Sequence, residues 1–221
     1  MELGEWLVTI AYNNIFVELQ NYLARLQDKF LKPYLPARPE QSPSDYELDV
    51  MAYCVLSHAA IEGFVEQVAI SVSSEAFDGF EKQLVVSDSL LSLSAYFKEV
   101  ALPAASDSVR TCNDRLRAHL REVKQKYSGQ VYENNGINIK YLDSLLIPIG
   151  IDVDLAPQHR DSLVKLVDHR GTYAHKGVGA RRNLSPEDAA AFIKDCVEIC
   201  AQIASKAASK SEKLGRLRST P

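Results

Sequence analysis

The chain has 221 residues, of which 46% are hydrophobic and 24% charged, and it carries a net charge of −4 at pH 7. That length can bury a sizeable core, and the composition excludes a disordered or fibrous chain. A net negative charge excludes a protein that coats nucleic acid indiscriminately, so any RNA contact has to be local. Only 10 glycines and 9 prolines stand beside abundant Ala, Leu, Glu and Lys, which favours helix.

The first five residues are acidic and lack the basic region of a signal peptide. No run of about 18 apolar residues is evident, so no membrane span and a cytoplasmic location are expected. Four cysteines (Cys54, Cys112, Cys196 and Cys200) show no C-x-x-C spacing and read as reduced thiols. Cys196 and Cys200 lie one helical turn apart, but no nearby Cys or His completes a ligand set. Small buried side chains are the expectation, with no metal and no cofactor.

In chain order, Glu5 to Phe30 reads as a first helix, with Leu7, Ile10, Ile15, Leu19, Leu23 and Leu26 at three- and four-residue spacings. Pro33, Pro36, Pro39 and Pro43 make residues 31 to 44 an extended strap. A long second helix is predicted from Ser44, capped with Glu47, through Val55, Leu56, Phe64 and Val68 to about Ser73. Residues 76 to 100 suggest one or two shorter helices. Residues 109 to 127 form an amphipathic helix ended by Tyr127-Ser128-Gly129, and Asn134-Asn135-Gly136 marks a turn. A short helix spans Ile139 to Leu146, stopped by Pro148 and Gly150, and Pro157 opens the next. Ser185-Pro186-Glu187-Asp188 combines a cap, a proline at the first helical position and two acids in the first turn of the last helix. The basic tail from about Ser205 is expected to fray. The predicted chain is all-α, with residues 1–44 as a helix plus strap, 45–205 as the main helical domain and 206–221 as a disordered tail.

The segment with the most chemistry is Val167-Asp168-His169-Arg170-Gly171-Thr172-Tyr173-Ala174-His175-Lys176-Gly177. It puts a permanently cationic, forked side chain five residues before one that exchanges a proton near neutral pH, a pairing suited to phosphodiester chemistry. With 12 arginines and 5 histidines in the chain, the spacing alone is weakly specific. Arg170, Lys176, Arg181 and Arg182 stand against Asp168 alone, with His169 and His175 nearby, which makes a local phosphate footprint. The rival reading is a solvated loop whose Arg170 pairs with Asp168 or another acid, and whose His175 caps a helix end.

Residues five apart on an unbroken helix differ by about 140° in direction, so Arg170 and His175 would not share a face. Gly171, Gly177 and Gly179 suggest that the helix does not continue intact. Either the chain bends around Gly171 and brings both to one pocket, or two copies face each other across a dimer axis. Tyr173 is placed to stack on a base or bond a phosphate, or else is a half-buried core tyrosine. Glu62, on the apolar face of the second helix, needs a cationic partner, and Arg170 is a candidate. His58, one turn earlier, shares its face and reads as a satisfied bundle residue. His169 and Thr172 are supporting candidates, and His119 and His159 read as surface.

Here the chain resembles the HEPN domains, helical bundles many of which carry Arg, four to six residues, then His. Arg170 and His175 in "LVDHRGTYAHKG" lie close to the R-N-x-x-A-H-G pattern of prokaryotic ribonuclease-type members, such as the RiboL-PSP-HEPN group or a neighbouring one. "MAYCVLSHAAIEGFVEQV" is similar to the family's earlier helix, whose site-facing acid would be Glu62. "NIKYLDSLLIPIGID" is similar to the segment before the motif helix. The likeness covers roughly residues 45 to 205, and the residue after the motif Arg, usually polar, is here Gly171.

The resemblance implies a HEPN-like bundle with an added N-terminal helix, and metal-independent RNA cleavage at a homodimer interface. The 2′-hydroxyl would attack the adjacent phosphorus, leaving a 2′,3′-cyclic phosphate and a 5′-hydroxyl. His175 would act in proton transfer and Arg170 would stabilise charge on the non-bridging oxygens. Tyr173, His169, Thr172, Lys176, Arg181, Arg182 and Glu62 would support them. Toxins and defence effectors of this kind are often paired with an antitoxin such as a small nucleotidyltransferase. The alternatives are a catalytically inactive HEPN module that binds nucleotide, RNA or protein, and a structural dimer stabilised by the Arg-His pair.

Overall fold

Apolar residues at three- and four-residue spacing become seven α-helices, and no strand occurs among the described residues. The helices are α1 (Leu3–Phe30), α2 (Pro43–Gln83), α3 (Asp88–Tyr96), α4 (Val109–Tyr132), α5 (Ile139–Leu146), α6 (Pro157–Lys176) and α7 (Pro186–Ser219). The computed structural model describes the backbone of residues 3–36, 38, 40–97, 108–176 and 184–219. Side chains are described for all of these except 3–11, 109–110, 173–176, 216 and 218–219.

α2 is the central element and packs against α1, α4, α6 and α7. Its Val65, Val68 and Ala69 meet a common core with Leu19, Leu23 and Leu26 of α1, Leu163 and Leu166 of α6, and Ile199 and Ile203 of α7. The N-terminal helix packs into the bundle: α1 lies along both α2 and α7. The strap is tied down by the Tyr34 hydroxyl, which donates to the Asp49 carboxylate of α2.

α2 begins one residue before the predicted start. Pro43 occupies its first turn, where a missing N–H costs nothing, and the Ser42 N–H donates to the Asp45 carboxylate at 2.8 Å. It also runs ten residues past Ser73, because Val72, Ala76, Phe77 and Phe80 extend its buried stripe. Among the described residues α2 alone is long and apolar enough, by length and composition only, to cross a membrane, a test that a buried core helix also passes. A helix contacted on several sides is apolar nearly all round, and the core residues named above account for that character.

α4 does not stop at Tyr127-Ser128-Gly129. Val123, Tyr127 and Val131 continue its buried side, and the Tyr127 hydroxyl donates to the Leu145 carbonyl at 2.6 Å. α7 likewise does not fray at Ser205. Ala207, Ala208, Ser211 and Leu214 are buried, and the Ser211 hydroxyl donates to Glu75. Glu75 also accepts from the Tyr12 hydroxyl at 3.0 Å, so one carboxylate joins α1, α2 and α7. The boundaries at Pro157 and at Ser185-Pro186 are those predicted, with Ser185 Oγ accepting from the Asp188 N–H at 3.0 Å.

Candidate functional site

The motif helix α6 is held in place before it reaches the motif. Leu163 and Leu166 are fully buried, the Ser162 hydroxyl donates to Asp195 at 2.6 Å, and His159 Nε2 lies 3.0 Å from a Glu198 oxygen. His169 continues this seam: its ring stacks on Phe192 of α7, centroids 5.8 Å apart and 7° from parallel. Its neighbour Arg170, about 100° further around the helix, is half-buried and acts on α2 instead. The structure thus separates His169, a packing residue, from the face that Arg170 serves.

α6 is continuous through Gly171 to Lys176, so the helix does not break at Gly171 and the bend, one of the two arrangements considered, does not occur there. A glycine within a helix costs about 1 kcal/mol relative to alanine, too little to break a helix whose preceding turns are locked against α2 and α7. The backbone positions of Arg170 and His175 are then about 140° apart around one axis. The side chains of Tyr173, His175 and Lys176 lie outside the described residues, as do Arg181 and Arg182 altogether. Thr172 is described and half-buried. Of the cationic cluster, Arg170 is the member whose surroundings are seen.

Those surroundings come from one stripe of α2. His58, Glu62 and Glu66 recur every four residues, on one face of the helix. His58 is 2% exposed, with Nδ1 3.6 Å from a Glu62 oxygen. Burial lowers the His58 pKa to about 4, and the Arg170 charge adds to the effect, so the imidazole is neutral near pH 7. Burial and the neighbouring Glu66 raise the Glu62 carboxyl, while Arg170 pulls it the other way. The Arg170 guanidinium thus reaches both groups by its field, yet no acid among the described residues forms an ion pair with it. Glu66 in turn accepts from Asn134 Nδ2 at 2.8 Å, tying the stripe to the turn after α4.

A measurable pH dependence follows. The His58 pKa in the folded chain lies below its ordinary 6.5, so the unfolded chain binds more protons between about pH 6.5 and 4. The stability linked to His58 is therefore fully present above about pH 6.5 and is lost as pH falls towards 4. At 1.36 kcal/mol per unit, the loss is on the order of 3 kcal/mol. Glu62, with its pKa raised, runs in the opposite sense and offsets part of it. Urea unfolding at pH 7 and pH 4.5 isolates the His58 share when the native chain is compared with His58→Gln. The variant should lose less stability on acidification, and equal losses would rule out this assignment.

His119 and His159 are not surface residues. Each is 8% exposed, because α4 and α6 turn those positions inwards. Cys54, Cys196 and Cys200 are the small buried side chains expected, and burial pushes the Cys54 and Cys196 thiols up to about 12. Among the described residues no three His, Cys, Asp or Glu side chains cluster as metal ligands. Sequence reasoning missed the bond from Asn134 to Glu66 and the groove between α4 and α5. Asn134 was legible only as a turn residue, and its partner lies 68 positions away.

Comparison with known protein families matches RiboL-PSP-HEPN over residues 11–209. No curated protein and no solved structure matches the chain.

Proposed function

The chain belongs to the RiboL-PSP-HEPN family, which supports a nuclease or RNA-related role, and on that premise we propose that it is a metal-independent endoribonuclease. The observation that carries this reading is the Arg170 guanidinium on the flank of α6. It is half-buried, paired with no acid among the described residues, and close enough to Glu62 and His58 for its charge to act on both. A cation so held keeps its fork for an outside anion, and partial burial strengthens that attraction.

In the proposed reaction the 2′-hydroxyl of one ribose attacks the adjacent phosphorus. Its proton leaves to a base, the bond to the 5′-oxygen breaks, and that oxygen takes up a proton. The products are a 2′,3′-cyclic phosphate and a 5′-hydroxyl. Arg170 stabilises the charge growing on the non-bridging oxygens, and His175 transfers the proton. Because the nucleophile belongs to the substrate, no metal-bound water is required. An unbroken α6 favours the two-copy arrangement, with the Arg170 of each protomer beside the His175 of the other. Glu62 orients Arg170, while Lys176, Arg181 and Arg182 hold flanking phosphates, Tyr173 stacks on a base and Thr172 lines the site. His169, stacked on Phe192, supports the site only by fixing α6. A cellular role as toxin or defence effector, restrained by an antitoxin such as a nucleotidyltransferase, accords with this chemistry.

Gly171, where HEPN domains usually have a polar residue, favours a second reading: an inactive module that binds RNA, nucleotide or protein. Incubation with RNA in excess chelator separates the two. Cutting should persist, the new ends should be cyclic phosphates by mass spectrometry, and His175→Ala should reduce the rate by about 10²–10⁴-fold. Retention of RNA without cutting would support the binding module. Cutting that requires a divalent ion would sink the mechanism.

A further inference from the structure

α4 and α5 frame a groove of about 710 Å³. Glu122, Gln125, Lys126 and Gln130 of α4 line it together with Glu133 and Asn134 just beyond the helix, and α5 contributes Tyr141. Gly129 also lines it. Glycine weakens a helix interior relative to alanine, yet a Cβ at this position would meet nothing within 4 Å. Neither backbone conformation nor packing within this chain asks for glycine there. What its missing side chain does is deepen the groove.

The groove wall is rich in acceptors. Gln130 uses its Nε2 on the Ser144 carbonyl, and Asn134 uses its Nδ2 on Glu66 at 2.8 Å and on the Gly136 carbonyl at 3.0 Å. These two amides thus spend donors within the protein, while Gln125 also lines the groove. Asn134 Oδ1 has no partner among the described residues but is shielded from water, so it is not itself open to the groove. The Glu133 carboxylate adds a further acceptor on the rim, whereas Lys126 is neutralised by Glu122 at 2.9 Å. Such a wall repels phosphate and suits an edge that carries hydrogen-bond donors. Cytosine, adenine and guanine carry an exocyclic amino group, and uracil offers one N–H between two carbonyls. The Tyr141 ring offers a stacking surface.

The groove also adjoins the Arg170 site. Asn134 contacts Glu66, which lies one helical turn, about 5.4 Å, from Glu62 on the same face of α2. A strand held at Arg170 would reach the groove along that stripe of α2.

We propose that the α4–α5 groove is a nucleobase subsite that selects an amino-bearing base over uracil in an RNA strand held at Arg170. This rests on the RNA reading of that site. The test uses full-length protein carrying His175→Ala, so that bound RNA stays intact, and short fluorescein-labelled oligocytidylate, oligoadenylate and oligouridylate in anisotropy titrations. The amino-bearing strands should bind about 10-fold more tightly than oligouridylate. Gly129→Leu, which fills space in the groove, should reduce oligocytidylate and oligoadenylate to the oligouridylate level. Glu133→Gln, on the exposed rim, should narrow the preference without any risk to folding. Equal binding of the three strands, no binding of any, or a preference that survives Gly129→Leu would overturn the subsite. Cutting by the native protein with no base preference would leave the ribonuclease reading standing and remove this one. A base preference without cutting by the native protein would do the reverse.

Discussion

Replacing Arg170 with alanine is expected to slow RNA cleavage by about 10²–10³-fold, the usual effect of losing one preorganised charge donor to a developing oxyanion. Two features make the loss large. The guanidinium is half-buried against α2, where its charge is less screened than at an open surface. It is also fixed on a helix whose neighbouring residues, Leu166 and His169, are buried against the bundle, so it needs little reorganisation to meet the phosphate. Arg170→Lys should fall between the two, since it keeps the charge but loses the planar fork.

A second readout separates this role from a merely structural one. Arg170 now lowers the pKa of His58, so its removal should raise the His58 value from about 4 by the share that the guanidinium supplies, while burial keeps it below 6.5. An NMR titration of His58 in Arg170→Ala measures the shift. Unchanged cleavage with a shifted His58 would mean that Arg170 acts only within the protein, and the proposed mechanism would fall.

Truncation after Ser205 should destabilise the protein by about 3–5 kcal/mol, with a fall in Tm of about 10 °C. The segment removed carries Ala207, Ala208 and Leu214, all buried, so their burial is lost and the surfaces of α1 and α2 beneath them are opened to water. It also carries Ser211, whose hydroxyl donates to Glu75, and Lys206, whose ammonium donates to the Asp152 carbonyl. Bonds to charged groups contribute more than neutral ones, on the order of 1.5–3 kcal/mol each where burial is substantial. Ser211→Ala alone should cost about 1 kcal/mol or somewhat more, with Glu75 keeping its bond from Tyr12. Thermal unfolding followed by circular dichroism measures both. A truncated chain that melts with the native one would show that the last turns of α7 contribute nothing to the bundle.

The site was legible in one dimension and hidden in three. The Arg170–His175 spacing and the likeness of α2 to the family's earlier helix drew attention to Arg170, His175 and Glu62 from residues alone. For the Arg170 charge to act on Glu62, α2 and α6 must lie side by side, and the two residues are more than a hundred positions apart. Gly171 misled because helix propensity is a local quantity. Its cost of about 1 kcal/mol is smaller than what α6 gains from Leu163 and Leu166 in the core.

Apolar periodicity and boundary residues in the sequence by themselves determined that this chain is helical, that α5 spans Ile139–Leu146, and that α6 and α7 open at Pro157 and Pro186. Capping and proline geometry act over four residues, so they can be read without the rest of the chain. Only the tertiary structure decided that α4 passes Gly129, that α7 reaches Ser219, and that His119 and His159 are buried. Each of those depends on a second helix covering the residue, and free energy gained from distant surfaces is not written in the local pattern.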